Sequence, residues 1–151
     1  MTTKGGGKSR AFLIGAGTTG LLAFGMPLFL SPLRWARILH WRVPADTDLT
    51  VYLGRSLGAV AVALSVGALR AARRPEEQRT MVEVGFLTGA LLAVVHAWGA
   101  LLRRQPWTET AEIAFWSAMA AAAVLAYPRD ETSSRDEAVG DYVLDKPIIL
   151  C

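Results

Sequence analysis

Four apolar stretches recur along the 151-residue chain and restrict its fold more than any motif does. Charge-free runs cover 11–33, 56–69, 84–102 and 113–128. Crossing the hydrocarbon of a bilayer takes about 20 apolar helical residues, at about 1.5 Å per residue through about 30 Å. The first and third runs approach or pass that length. The second and fourth reach it only by taking in Arg55 and the pair Glu109/Glu112, respectively. With 52% hydrophobic residues and a mean hydropathy of +0.32, the chain lacks the make-up of an ordinary soluble domain. The predicted fold is all-α: an antiparallel four-helix transmembrane bundle, with helices over about 11–31, 49–72, 81–103 and 107–127. Residues 1–9 read as a flexible basic arm and 129–151 as a charged tail. Little chain is left over for a soluble catalytic domain.

Charge is divided by region. Residues 1–128 carry thirteen Lys/Arg against seven Asp/Glu, a balance of +6, while 129–151 carry three against six, a balance of −3. Because the cations flank apolar spans, the basic body suits anionic lipid headgroups rather than nucleic acid. The first apolar run is longer than the ~7–15 residues of a signal-peptide core and precedes no small-residue cleavage site, so it reads as an uncleaved span. Nine Lys/Arg near the span ends fall on the side of both termini and five on the other. That count predicts cytoplasmic N- and C-termini. The one cysteine, Cys151, excludes an internal disulfide and does not stand where prenylation requires.

Within the chain, Pro27 and Pro32 are expected to bend or end the first helix. The segment RWARILHWR, 34–42, follows as a short interfacial stretch, with Trp35, Trp41, Arg34 and Arg37 as anchors at the headgroup level. Thr47 or Asp48 is expected to cap the second helix, and Pro75-Glu76-Glu77 to lie in a charged loop. Small residues at every fourth position should let helices approach: Gly54 and Gly58, then Gly85, Gly89, Ala93 and Ala97, then Ala114, Ala118, Ala122 and Ala126.

One polar locus stands out. Arg55 lies about six residues into the second helix, Glu112 about five into the fourth with Glu109 above it, and His96 about seven before the end of the third. Helix connectivity alone puts all four at one level, roughly 7–11 Å below the helix ends. An inward Arg55–Glu112 pair with His96 alongside, near Tyr52 and walled by Trp98 and Trp107, would leave no charge unpaired in lipid. Glu109 has a simpler role available at a helix N-terminus, where a carboxylate gains from the macrodipole. Zinc is not expected, because His96 has neither a cysteine nor a second histidine nearby. No G-x-S-x-G, P-loop, H-E-x-x-H or C-x-x-C motif occurs.

The glycine-rich first helix ending in GMPLF (25–29), GRSLG (54–58) opening the second, His96 late in the third, and the Pro106 turn before Glu109/Glu112 carry a resemblance. Over about 10–128 the chain resembles the DoxX-like group of small four-helix bacterial membrane proteins. The resemblance implies an accessory or amphiphile-binding role, since some members are membrane subunits of quinone-linked oxidoreductases. The expected function is thus a non-catalytic accessory subunit, partnered by the bilayer and by other membrane proteins or its own copies. Its polar cluster would bind no cofactor, or a lipid or quinone headgroup. Two rivals stay open: a membrane oxidoreductase or lipid-handling enzyme using Arg55, His96 and Glu112, and a small dimeric transporter.

Overall fold

The computed structural model describes residues 6–128, and every regular element among them is helical. Helix α1 (Gly6–Thr19) passes through a π-helical stretch (Gly20–Gly25) into α2 (Met26–Leu30). Then follow α3 (Pro32–Ile38), α4 (Asp48–Ala71), α5 (Pro75–Leu101) and α6 (Trp107–Ala126). Four segments are long and apolar enough to cross a membrane: Gly7–Leu30, which runs from α1 through α2, and α4, α5 and α6. The chain is an integral membrane protein built as a helical bundle. The expected acidic tail, Cys151 included, and the first five residues lie outside the described residues.

Two helices start earlier than the sequence pattern predicts. α1 begins at Gly6, inside the expected arm, and the buried Ser9 hydroxyl donates to the Ala126 carbonyl at 2.6 Å. α5 begins at Pro75, inside the expected loop. Proline fits a first helical position because the missing amide would have had no partner there, and Glu76 and Glu77 in the same turn face the positive end of the helix dipole. Neither Thr47 nor Asp48 caps α4 with its side chain; Asp46 instead accepts the Asp48 amide at 3.2 Å.

Pro27 is absorbed rather than breaking the helix. A proline has no amide to donate, and its ring crowds the carbonyl four residues back. The backbone widens one turn ahead of it, where the Met26 amide reaches the Leu21 carbonyl five residues back. The α-helix resumes with Pro27 in its first turn, and the chain breaks at Ser31 before Pro32 opens α3.

Small residues set the contacts. Gly17 and Gly20 face Ser65, Gly25 faces Ala61 and Val62, Gly58 faces Leu28 and Phe29, and Gly54 faces Pro32. Numbers therefore fall along α4 as they rise from α1 to α3. The motifs GMPLF and GRSLG are packed on each other. A Cβ on Gly54 would lie 2.5 Å from that of Pro32, and one on Gly58 would collide with the Phe29 backbone. Gly89 serves α5 and α6 alike, since a Cβ there would sit 3.0 Å from the Trp116 carbonyl oxygen.

The expected alanine stripe of α6 needs correction. Ala114, Ala118 and Ala122 are exposed, whereas Trp116, Ala123 and Ala126 are buried. At 3.6 residues per turn, steps of four drift by about 40° each, so the four-alanine stripe winds through about 120°, while Trp116 and Ala123, seven apart, differ by only about 20°. Buried Leu13, Ala68, Ala71, Ala72, Val82 and Ala123, with Phe12, Met81 and Tyr127 against them, fill the end where α1 and α5 begin and α4 and α6 finish.

Replacing Gly58 by alanine should lower bundle stability by about 1–3 kcal/mol through overpacking against α2. Gly15→Ala, which meets nothing within 4 Å, should not. Thermal unfolding of both variants in mild detergent checks the difference.

Candidate functional site

The other end of α5 and α6 is polar, and a tight turn creates it. After Leu102, Arg103 adopts a left-handed conformation (φ 52°), and the Arg103 and Arg104 amides return to the carbonyls of Ala100 and Gly99 at 3.0 and 3.1 Å. That pattern closes a helix C-terminus. Gln105 then folds back so that its amide nitrogen donates to the His96 carbonyl at 2.9 Å, over Gly99, where a Cβ would collide with it. Trp107 starts α6 at once. The first two turns of α6 consequently lie beside the last two of α5.

His96 is buried there, 9% exposed. Its Nε2 stands 3.0 Å from Glu109 Oε2 and 3.4 Å from Glu112 Oε2. Its Nδ1 is 2.7 Å from the Leu92 carbonyl oxygen. A carbonyl oxygen only accepts, so Nδ1 carries a hydrogen and Nε2 is the nitrogen turned to the carboxylates. Each carboxylate also accepts an indole N–H, Glu109 through its second oxygen and Glu112 through the same Oε2 that faces His96. The Trp116 indole donates to Glu112 Oε2 at 3.0 Å, and the Trp41 indole donates to Glu109 Oε1 at 2.7 Å.

Trp41 reaches Glu109 because α3 ends as α5 does. His40 is left-handed (φ 63°), and the His40 and Trp41 amides bond the carbonyls of Arg37 and Ala36 at 3.0 and 2.9 Å. The Thr108 hydroxyl pins this turn to α6 by donating to the Leu39 carbonyl at 2.6 Å.

The fold thus brings together three of the residues singled out from the sequence: His96, Glu109 and Glu112. It does not bring Arg55. α4 packs along α1–α3 and α5 and shares no contact with α6, and the expected Arg55–Glu112 pair does not form. Arg55 stands exposed on α4, in an open groove with Phe29, Asp48, Val51, Tyr52, Ser56 and Ala59. Tyr52, Trp98 and Trp107 are 69%, 64% and 71% exposed, so the two tryptophans wall nothing. Of the expected anchors, Arg34 and Arg37 are exposed, Trp35 packs edge-on against Phe24 with ring centroids 5.9 Å apart, and Trp41 belongs to the polar site.

Sequence reasoning missed what the two indoles do. Glu112 and Trp116 are four apart on one helix, a spacing at which side chains meet, so that bond had a local signal. The Trp41–Glu109 bond spans 68 residues and had none. Chemically, one imidazole nitrogen and two carboxylates converge, and among the described residues no Lys or Arg pairs with either carboxylate. The site attracts positive charge. Comparison of the chain with protein-family models, curated proteins and solved structures gives no match.

Stability cycles in detergent test this geometry. Glu112→Gln and Trp116→Phe should couple by about 0.5–3 kcal/mol, as contacting residues do. Glu112→Gln and Arg55→Leu should add within about 0.3–0.5 kcal/mol, as separate residues do.

Proposed function

We propose that this chain is a non-catalytic accessory subunit of a larger membrane assembly and meets its neighbour through the Arg55 face of α4. The observation that carries the reading is Arg55 itself. Its side chain is exposed about two turns into a spanning helix, without a partner among the described residues. An arginine in hydrocarbon costs roughly 2.5–3.5 kcal/mol at mid-bilayer on insertion scales, and less near the surface. Something polar from outside the chain offsets that cost. A carboxylate or carbonyl on a neighbouring subunit fits, with the Tyr52 and Ser56 hydroxyls beside it in the groove.

The exposed Trp98 and Trp107 favour a non-catalytic role, because they leave the His96 site without the enclosing wall a substrate pocket would have. The same groove favours a second reading, in which Arg55 holds the anionic or carbonyl headgroup of a lipid or quinone while Asp48 stands at its rim. Kinship with the DoxX-like group belongs to the proposal as well, resting on GMPLF and GRSLG.

Extraction from native membranes in mild detergent, followed by native mass spectrometry, tests the reading. The wild-type chain should travel in a larger assembly, and Arg55→Gln should reduce that association about tenfold or more. A bare monomer in both would contradict it. A monomer that keeps a lipid or quinone, and loses it in Arg55→Gln, would favour the headgroup instead.

A further inference from the structure

We propose that His96, Glu109 and Glu112 hold one divalent transition-metal cation of the zinc class between α5 and α6. Nε2 and one oxygen from each carboxylate all lie within 4.8 Å of one another. Ligands about 2.0–2.2 Å from a tetrahedral zinc ion stand about 3.3–3.6 Å apart. The Nε2–Oε2 separations of 3.0 and 3.4 Å lie close to that spacing, so an ion needs only small side-chain shifts to bind all three. The absence of a cysteine or second histidine, which argued against zinc in the sequence, is made good by two carboxylates one helical turn apart.

Three features outside the ligand set prepare it for a cation. The Leu92 carbonyl holds a hydrogen on Nδ1 and so leaves Nε2 as the nitrogen that can bind a cation, the usual support of a metal-bound histidine. The indoles of Trp41 and Trp116, on two different elements, orient the two carboxylates, Trp41 through the Glu109 oxygen turned away from His96 and Trp116 through Glu112 Oε2 itself. Charge is the third. With a neutral imidazole the site holds two negative charges, which a divalent cation cancels, whereas one proton leaves a net charge inside a spanning region. Imidazole with carboxylate suits zinc and its first-row neighbours. Three protein ligands leave a coordination position for water or for a group from a partner. The site involves neither Arg55 nor α4, so it stands or falls separately from the subunit reading.

The test uses the full chain in mild detergent with Cys151→Ser, so that the sole thiol does not compete, after treatment with a chelator. Titration with Co²⁺ should saturate at one ion per chain with the visible absorption of a low-coordinate nitrogen–oxygen site, and Zn²⁺ should displace it and raise Tm. His96→Gln and Glu112→Gln should each weaken binding more than about tenfold, and Trp116→Phe about tenfold through loss of support. Glu83→Gln, at the other end of α5, should leave it unchanged. Non-saturating binding, or wild-type affinity in both ligand variants, would overturn the proposal. Should a ligand variant fail to fold, the wild-type chain still decides: a Co²⁺ spectrum no different from the aqueous ion overturns it.

Discussion

One hydrogen bond orients the polar end of this protein: the Nδ1 of His96 donating to the carbonyl of Leu92, one helical turn earlier in α5. A histidine on a spanning helix could turn either nitrogen outward or meet lipid with both. Tied back to its own helix, it presents Nε2 across the interface, where Glu109 and Glu112 arrive from α6. Two acids in that position would repel one another and lose their hydration. They are accommodated because each also accepts an indole N–H, one from Trp116 on α6 and one from Trp41 on the strap after α3. The imidazole, the carboxylates and the indoles form one unit drawn from three segments.

The rest of the bundle holds those segments in place. Gly89 lets α5 and α6 approach until the Trp116 backbone touches it, and the 102–106 turn fixes their relative heights. At the opposite end, Ser9 ties α1 to the end of α6, beside a core of small residues. There the Tyr127 hydroxyl donates to Glu83 and accepts from Arg79. The bond to Glu83 raises the Tyr127 pKa above its usual 10.0. α4 takes no part in either α6 contact. It is engaged with α1, α2, α3 and α5, and Arg55 looks outward from it.

Much of this was legible in the chain. Apolar run lengths gave four spanning helices, and depth along each helix put His96, Glu109 and Glu112 at one level. Depth says nothing about azimuth or about which helices are neighbours, and there the reading of Arg55 failed. Its level matched that of Glu112, but α4 and α6 are not adjacent. Gly54 and Gly58 flanking Arg55 were the available clue, because they mark the face of α4 that α2 and Pro32 occupy. The alanines of α6 misled for a related reason, since a four-residue period is not the period of a helix face. Trp41 could not have been placed at all. Its position depends on a left-handed His40, a conformation that favours glycine or asparagine and leaves no pattern when histidine adopts it.

The arrangement gives the chain two separate chemical features: an acceptor-rich centre between α5 and α6, and the exposed Arg55 guanidinium on α4. The centre depends on the orientation of one ring, so the most direct measurement reads that ring. Nitrogen-15 NMR of the chain labelled at histidine, with His40→Gln used to assign the signals, reports which nitrogen carries a hydrogen. The account predicts a proton on Nδ1 of His96 whatever occupies the space at Nε2. A bare Nδ1, with the proton on Nε2 alone, would mean that the ring is not tied to Leu92 and that the centre is not built this way.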